Sequence, residues 1–123
     1  MTRMAMAEQE SLIRRYLAAM EKADLDGVLA CFAADGTATS PTYGEMPVRA
    51  FYERLFADTV EVRLAVKSIY AATDSPTRWM AHFDYHWRRR EAPDVDTELV
   101  DLFEISDGRI DRLRVIFAPP PAG

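Results

Sequence analysis

The sequence predicts a single α+β domain in which helices come first and an antiparallel sheet follows. Up to Asp58 the apolar residues mostly recur at helical spacing, whereas after it they alternate with polar residues as in strands. Turn residues separate the alternating runs at short intervals, which is typical of a meander. At 123 residues, 49% of them hydrophobic, the chain is long enough for one core. We assign 1–123 to one domain, with its core at about 8–117 and an extended, Pro-rich tail at 118–123.

Three helices are expected in the first half. From Glu8 to Lys22 one apolar stripe includes Tyr16, whose ring should face the interior and whose hydroxyl then needs a partner. Asp24 is a suitable N-cap for a second helix, which should end at Gly36. Gly44 should open a third helix, whose apolar face is Val48, Phe51, Tyr52, Leu55 and Phe56.

One short strand, 37–40, is expected before the third helix, and a meander of four strands after it. The run from Trp79 to Trp87 alternates sharply, and its aromatic face should lie against the helices. His82 and His86 then point to the outer face, where two histidines lack a third ligand group nearby in sequence. We therefore assign no metal site.

The last hairpin carries the residue on which the functional hypothesis depends. A three-residue loop, Ser106 to Gly108, would place Asp101 opposite Leu113. One face of the hairpin would then be apolar except for a single carboxyl group, and it comprises Leu99, Asp101, Leu113, Val115 and Phe117. A carboxylate there is costly when ionised and unpaired, so Asp101 should be protonated, paired or at the wall of a cavity.

The outer face of the sheet predicts a second copy of the chain as partner. Apolar residues stand there among charges, and a twofold homodimer would cover them; they are Val100, Leu102, Ile110 and Ile116.

The charge balance and the cysteine content exclude several other classes of function. A net charge of −5 provides no electrostatic footprint for nucleic acid. No apolar run approaches the length of a membrane span, and no leader is recognised at the N-terminus. With Cys31 as the single cysteine, no internal disulfide forms, so a cytoplasmic location is expected.

Three stretches resemble the nuclear-transport-factor-2-like superfamily. Arg15 to Leu17, Ala23 to Val28 and Phe32 to Thr37 are similar to its opening, Gly44 to Leu55 to its third helix, and Val100 to Ile110 to its last hairpin. The resemblance covers about 8–117 and implies a cystatin-like, cone-shaped fold. In that fold three N-terminal helices pack on a curved, mainly antiparallel sheet that encloses an apolar cavity.

Within that superfamily the chain is similar to the ketosteroid-isomerase-like and SnoaL-like branches. This resemblance implies that Tyr16 and a protonated Asp101 stabilise an enolate oxygen, with Tyr52 supporting them. Ser40 stands where the family has its carboxylate base, and Phe32 stands where a further tyrosine of the hydrogen-bonded set usually sits. The oxygen-binding side is therefore expected to be present and the proton-abstracting side incomplete.

The resemblance also implies a ligand-binding wall and leaves more than one function open. Besides Tyr16 and Asp101, the expected wall is Phe32, Ser40, Phe51, Tyr52, Phe83, Tyr85, Leu99, Leu113, Val115 and Phe117. One hypothesis is an isomerase or cyclase that enolises an apolar carbonyl compound without a cofactor. The alternatives are a non-catalytic module that binds a hydrophobic ligand and an interaction domain that uses its outer sheet face. Tyr16 and Asp101 would alternatively form only a structural hydrogen bond between helix and sheet.

Overall fold

Three helices pack on one six-stranded sheet, as expected for the predicted α+β class. The computed structural model describes residues 3–117, so the predicted tail at 118–123 lies outside the described residues. The elements in chain order are α1 (Arg3–Glu21), α2 (Leu25–Ala30), β1 (Phe32–Ser40), β2 (Gly44–Pro47), α3 (Val48–Ala57), β3 (Thr59–Ala71), β4 (Arg78–Arg89), β5 (Val95–Ser106) and β6 (Arg109–Ile116).

The strand order in the sheet is β2-β1-β6-β5-β4-β3. Strands β3 to β6 form the predicted antiparallel meander, and β1 joins it by pairing in parallel with β6. The register is irregular within three of these pairings, and such irregularities bend a strand locally. Because β1 pairs with β6, the end of β1, which carries Ser40, lies beside the last hairpin.

The end of the second helix was predicted wrongly, because residues 33–36 belong to strand β1. Gly36 is buried, and a Cβ atom there would lie 3.0 Å from the Ala33 carbonyl oxygen and 3.3 Å from that of Ile110. This glycine permits close approach of β1 to β6 and does not end a helix.

The start of the third helix also differs from the prediction. Residues Gly44–Pro47 form the edge strand β2, and α3 begins only at Val48. Gly44 adopts a φ of +73°, which turns the chain back along β1, and Pro47 ends an edge strand where its missing N–H costs little.

The hairpin loop is tighter than predicted. Asp107 and Gly108 have φ angles of +51° and +72°, as in a two-residue type I′ turn. The tighter loop moves the pairing by one position and a register irregularity at Glu104 moves it by another, so Asp101 pairs with Val115 and not with Leu113. Since the difference amounts to two positions, Asp101 keeps the inward orientation that the sequence predicted.

A register irregularity follows Glu104, and it corrects one residue of the predicted outer face. Ile110 is fully buried and pairs with Phe32 of β1, so it belongs to the core. The aromatic face of β4 is buried as predicted, and it comprises Trp79, Ala81, Phe83, Tyr85 and Trp87. Between residues 3 and 117, none of the helices has the length and hydropathy to cross a membrane.

Candidate active site

A cavity of about 40 Å³ lies between α1, α3 and the inner face of the sheet. Its wall is largely aliphatic and aromatic, with a few hydroxyl groups and one carboxyl group. The lining residues are Tyr16, Met20, Ser40, Thr42, Tyr43, Phe51, Tyr52, Leu55, Phe83, Tyr85, Trp87, Leu99, Asp101, Val115 and Phe117.

All predicted site residues except Phe32 and Leu113 lie on this wall. Phe32 stands behind it, with its ring centroid 5.8 Å from that of Tyr16. Leu113 is buried opposite Phe103, further along the sheet, because the tighter turn and the irregularity at Glu104 together move Val115 into the place beside Asp101. These two residues support the site from the core and do not contact its interior.

Two tyrosines from different helices meet at the wall. The hydroxyl oxygens of Tyr16 on α1 and Tyr52 on α3 lie 2.5 Å apart and share a hydrogen bond. Burial raises the pKa of both phenols well above the ordinary value, so both remain protonated at neutral pH. One hydroxyl proton is used between them, and the other is available to a third group.

The carboxyl group of Asp101 is buried without a partner. Its residue is 3% exposed, and in the described part of the chain it forms neither a hydrogen bond nor an ion pair. Burial alone raises the pKa of Asp101 to about 8. Its charge when ionised contributes to the raised pKa of Tyr16, Tyr52 and Tyr85, which line the same cavity. Tyr16 thus bonds to Tyr52, and a purely structural Tyr16–Asp101 bond is not formed.

Ser40 lies on the wall at the end of β1. Its Oγ accepts a hydrogen bond of 3.0 Å from the backbone N–H of Tyr43. Asp101 is the sole carboxyl-bearing residue among the lining residues of the described chain, so no second carboxylate faces the cavity beside Ser40. A serine hydroxyl without a neighbouring base has no useful basicity at neutral pH.

Residues 41–43, here called the strap, cover one side of the cavity, and sequence analysis missed their role. The Tyr43 hydroxyl donates to Asp58 Oδ2 over 2.6 Å, and Arg89 donates to the same oxygen over 2.7 Å. The Arg54 guanidinium lies 4.4 Å from the centre of the Tyr43 ring. No local pattern signals this anchoring, since its members come from α3, the following turn and β4. The other lining residues that were missed are Met20, Thr42, Leu55 and Trp87.

The histidines of β4 point outward, as the alternation predicted. His82 Nε2 lies 2.6 Å from Glu98 Oε2, and His86 pairs with Asp96. Within residues 3–117, no group of three or more histidine, cysteine or acidic side chains is arranged to hold a metal ion. The cavity wall accordingly offers phenol, hydroxyl and carboxyl groups for chemistry.

Comparison with known families matches residues 13–113 to the model of the SnoaL-like domain. The matched range includes α2, α3 and strands β1 to β5, the second half of α1 and most of β6. It contains every wall residue except Val115 and Phe117.

Solved structures show the same fold at low sequence identity. One of them is SalBIII, an epoxide hydrolase/cyclase-like enzyme with a role in pyran ring formation in the polyether salinomycin. It is 16% identical to this chain, with a TM-score of 0.78 over 91% of this chain and 92% of that one. TerC, crystallised with polyporic acid, is 17% identical, with a TM-score of 0.74 over 90% and 92%.

A third structure was also determined with a small molecule. It is a hypothetical protein from Catenulispora acidiphila with a ketosteroid isomerase-like fold, in complex with trimethylamine. It is 18% identical, with a TM-score of 0.74 over 87% of this chain and 85% of that one.

Proposed function

The chain belongs to the SnoaL-like domain family, and from that premise we propose that it enolises a small, largely apolar carbonyl compound, as an isomerase or cyclase. One observation carries the proposal. A carboxyl group that is 3% exposed and without a partner shares an apolar cavity with a hydrogen-bonded pair of tyrosines. A cavity with few convergent polar groups is what an apolar ligand with one oxygen function requires.

The polar groups support stabilisation of an enolate oxygen. When a proton leaves the carbon next to a carbonyl, negative charge develops on the oxygen. Tyr16, with its proton oriented by Tyr52, and protonated Asp101 would both donate to that oxygen. Such donors act strongly in a site without bulk water, where one of them contributes about 100- to 1,000-fold in rate.

The proton-accepting side defines the kind of substrate. With Ser40 in place of a carboxylate, the proton passes to a water molecule or to a basic group of the substrate itself. Compounds whose α-proton is already acidic, such as those with two nearby carbonyl groups, meet this condition best. This reasoning favours intramolecular cyclisation of a polyfunctional compound over isomerisation of a simple enone.

Ligand entry requires movement of the wall. The cavity of about 40 Å³ is smaller than the roughly 150 Å³ that holds benzene in a protein core. Tyr43 in the strap is only half-buried, unlike the other wall aromatics of α1, α3 and β4. In this proposal the strap shifts outward to admit the ligand.

Restoring a carboxylate at position 40 tests the proposal. The variant Ser40→Asp should isomerise cyclohex-3-enone to the conjugated cyclohex-2-enone at least 100 times faster than the wild type, because a positioned base contributes about 10²- to 10⁴-fold. Absorbance of the conjugated product measures the rate. Ser40→Asn is the matched control, since it has similar size and no basicity. Adding Asp101→Leu to Ser40→Asp should remove the gain.

A second candidate function is a non-catalytic binding module, and the absence of a second carboxylate from the described wall favours it. The two candidates differ in one outcome. If Ser40→Asp shows no gain while 2-naphthol binds the wild type, as followed by its fluorescence, the cavity binds ligands without performing this chemistry.

We also propose that a second copy of the chain covers the outer sheet face. Apolar side chains are exposed there, among them Tyr70, Leu102 and Ile116. An open hollow in the same face is lined by acidic and basic groups together, including Glu104 and Arg112. A twofold axis would bring acidic groups of one copy against basic groups of the other, so the face is self-complementary.

The buried free thiol of Cys31 fits the reducing, cytoplasmic compartment that we propose.

The dimer is tested by a charge in the middle of that face. The variant Leu102→Glu should elute at monomer mass in size-exclusion chromatography with light scattering, while the wild type elutes at twice that mass. Val60→Glu is the matched control, because Val60 is exposed but does not line the hollow. A wild type that stays monomeric at high concentration contradicts the proposal.

A further inference from the structure

We propose that Tyr85 makes this cavity selective for substrates with a second neutral oxygen, a hydroxyl or carbonyl, at the end remote from the reacting carbonyl. The inference rests on the proposed function and adds a substrate class to it. It depends on the contacts of Tyr85, on its position relative to Asp101 and on the residues between them.

Tyr85 presents an unused polar group to the cavity. The residue lies on the wall and is 7% exposed, and within residues 3–117 its hydroxyl has no hydrogen-bond partner. Its ring is held by packing, with centroids 6.4 Å from Phe83 and 6.2 Å from Trp87. Phenylalanine would provide the same packing, so the hydroxyl of Tyr85 is a polar group that the packing does not need and that remains accessible to hydrogen-bond an oxygen of a ligand.

The other polar groups of the aromatic wall are already paired. Tyr16 and Tyr52 share one hydrogen bond, and the Trp87 Nε1–H donates to Thr59 Oγ1 over 2.9 Å. Tyr43 donates to Asp58. Tyr85 therefore stands with Asp101 as a wall residue whose polar atoms are left for a ligand.

The sheet register sets the spacing of these two groups. Tyr85 pairs with Thr97 across β4 and β5, whereas Asp101 pairs with Ala81. Four residues of β5 thus separate the two backbone positions, about 13 Å along the strand at the usual rise per residue. The side chains converge on the cavity from these positions, and the charge of ionised Asp101 contributes to the raised pKa of Tyr85. Their side chains enter the same cavity from the same face of the sheet.

The wall between the two groups is apolar. Phe83 pairs with Leu99 on the intervening part of the ladder, and both residues line the cavity. A complementary molecule has oxygen at each end and hydrocarbon between. Burial raises the pKa of Tyr85 well above the ordinary value, so its hydroxyl stays neutral and both donates and accepts. A neutral second oxygen fits this apolar wall better than a carboxylate, because an ionised group buried without a charged partner is costly.

Two pairs of phenolic probes test this selectivity, namely 2-naphthol against 2,6-dihydroxynaphthalene and 4-hydroxybiphenyl against 4,4′-dihydroxybiphenyl. For at least one pair, the wild type should bind the diol about five to ten times more tightly, the ratio expected of one neutral hydrogen bond. Tyr85→Phe should reduce that affinity ratio to about one, because it should weaken binding of the diol and leave binding of the mono-phenol unchanged. Tyr70→Phe, at an exposed tyrosine outside this cavity, should keep the wild-type ratio.

The outcomes separate this inference from the proposed function. If Asp101→Leu weakens mono-phenol binding while Tyr85→Phe leaves both ratios as in the wild type, the role of Tyr85 is overturned and the enolate site stands. If Asp101→Leu leaves binding unchanged, the proposed function fails. If none of the probes binds the wild type, both proposals are overturned.

Discussion

Replacing Asp101 by asparagine will stabilise the fold at neutral pH. It will also remove most of the stability loss that the wild type shows as the pH rises from 4 to 8. Burial raises the pKa of this carboxyl group from 3.8 to about 8. Over that range the folded protein keeps the proton, whereas the unfolded chain releases it. The free energy of unfolding therefore falls as the pH rises, by about 1.4 kcal/mol per pH unit, and levels off above pH 8. At pH 7 the gain of Asp101→Asn over the wild type should be on the order of 4 kcal/mol.

Urea denaturation of both proteins across this pH range measures the effect. The difference between them should be smallest near pH 4, where Asp101 is protonated in both the folded and the unfolded states. Glu8→Gln, at an exposed position on α1, provides the control and should leave the pH dependence of stability unchanged. A variant that is less stable than the wild type at pH 7 would show that Asp101 forms favourable contacts in the ionised state.

Removing the Asp101 carboxyl group should raise stability but lower the rate of catalysis. In the Ser40→Asp background, Asp101→Leu removes a donor to the enolate oxygen, so isomerisation should slow about 100- to 1,000-fold. A carboxyl group that lowers the stability of the fold but raises the reaction rate is retained for its function and not for folding. The rate should also decline above about pH 8, as the donor loses its proton. A rate that instead rises through pH 8 would identify Asp101 as the base.

The second large effect is expected at the tyrosine pair. Tyr16→Phe should lower the rate of the Ser40→Asp enzyme about 100- to 1,000-fold, because it removes the hydroxyl that donates to the enolate oxygen. Tyr52→Phe should lower the rate less, since Tyr16 keeps its own proton. Each single change leaves one buried hydroxyl without its partner across 2.5 Å and should cost about 1–3 kcal/mol of stability.

A double-mutant cycle distinguishes the catalytic role of the pair from a structural one. The variant with both phenylalanines should recover part of the stability lost in the single variants, since no orphaned hydroxyl remains. Its rate should stay as low as that of Tyr16→Phe alone. If the two single variants affect rate and stability equally, the pair serves only to join α1 to α3.

Local patterns predicted a large part of the scaffold. The alternation from Trp79 to Trp87 identified the buried face of β4, because side chains of a strand necessarily point to opposite sides. The stripe of α1 turned Tyr16 inward for the corresponding reason in a helix. Asp101 was expected to face the interior, and it does so, because the misjudged loop and the irregularity at Glu104 each shift the register by one residue and a total error of two preserves the face.

Other features required contacts that no local pattern carries. Residues 33–36 form a strand because Gly36 allows β1 to approach β6, which is remote in sequence. Ile110 left the predicted outer face because an irregularity after Glu104 interrupts the alternation. Such pairings depend on which segments meet after collapse, and that depends on the whole chain.

By itself, the sequence determined the α+β class, the order of helices and meander, the inward orientation of Tyr16 and Asp101 and the serine at position 40. Periodicity and residue identity are properties of short segments, so they can be recognised from the sequence before the tertiary structure is known. Only the tertiary structure decided that Tyr16 bonds to Tyr52, that Asp101 and Tyr85 lack partners, and that Tyr43 holds the strap closed. Hydrogen bonding and burial depend on distances of a few ångströms between separate elements, which the fold alone sets.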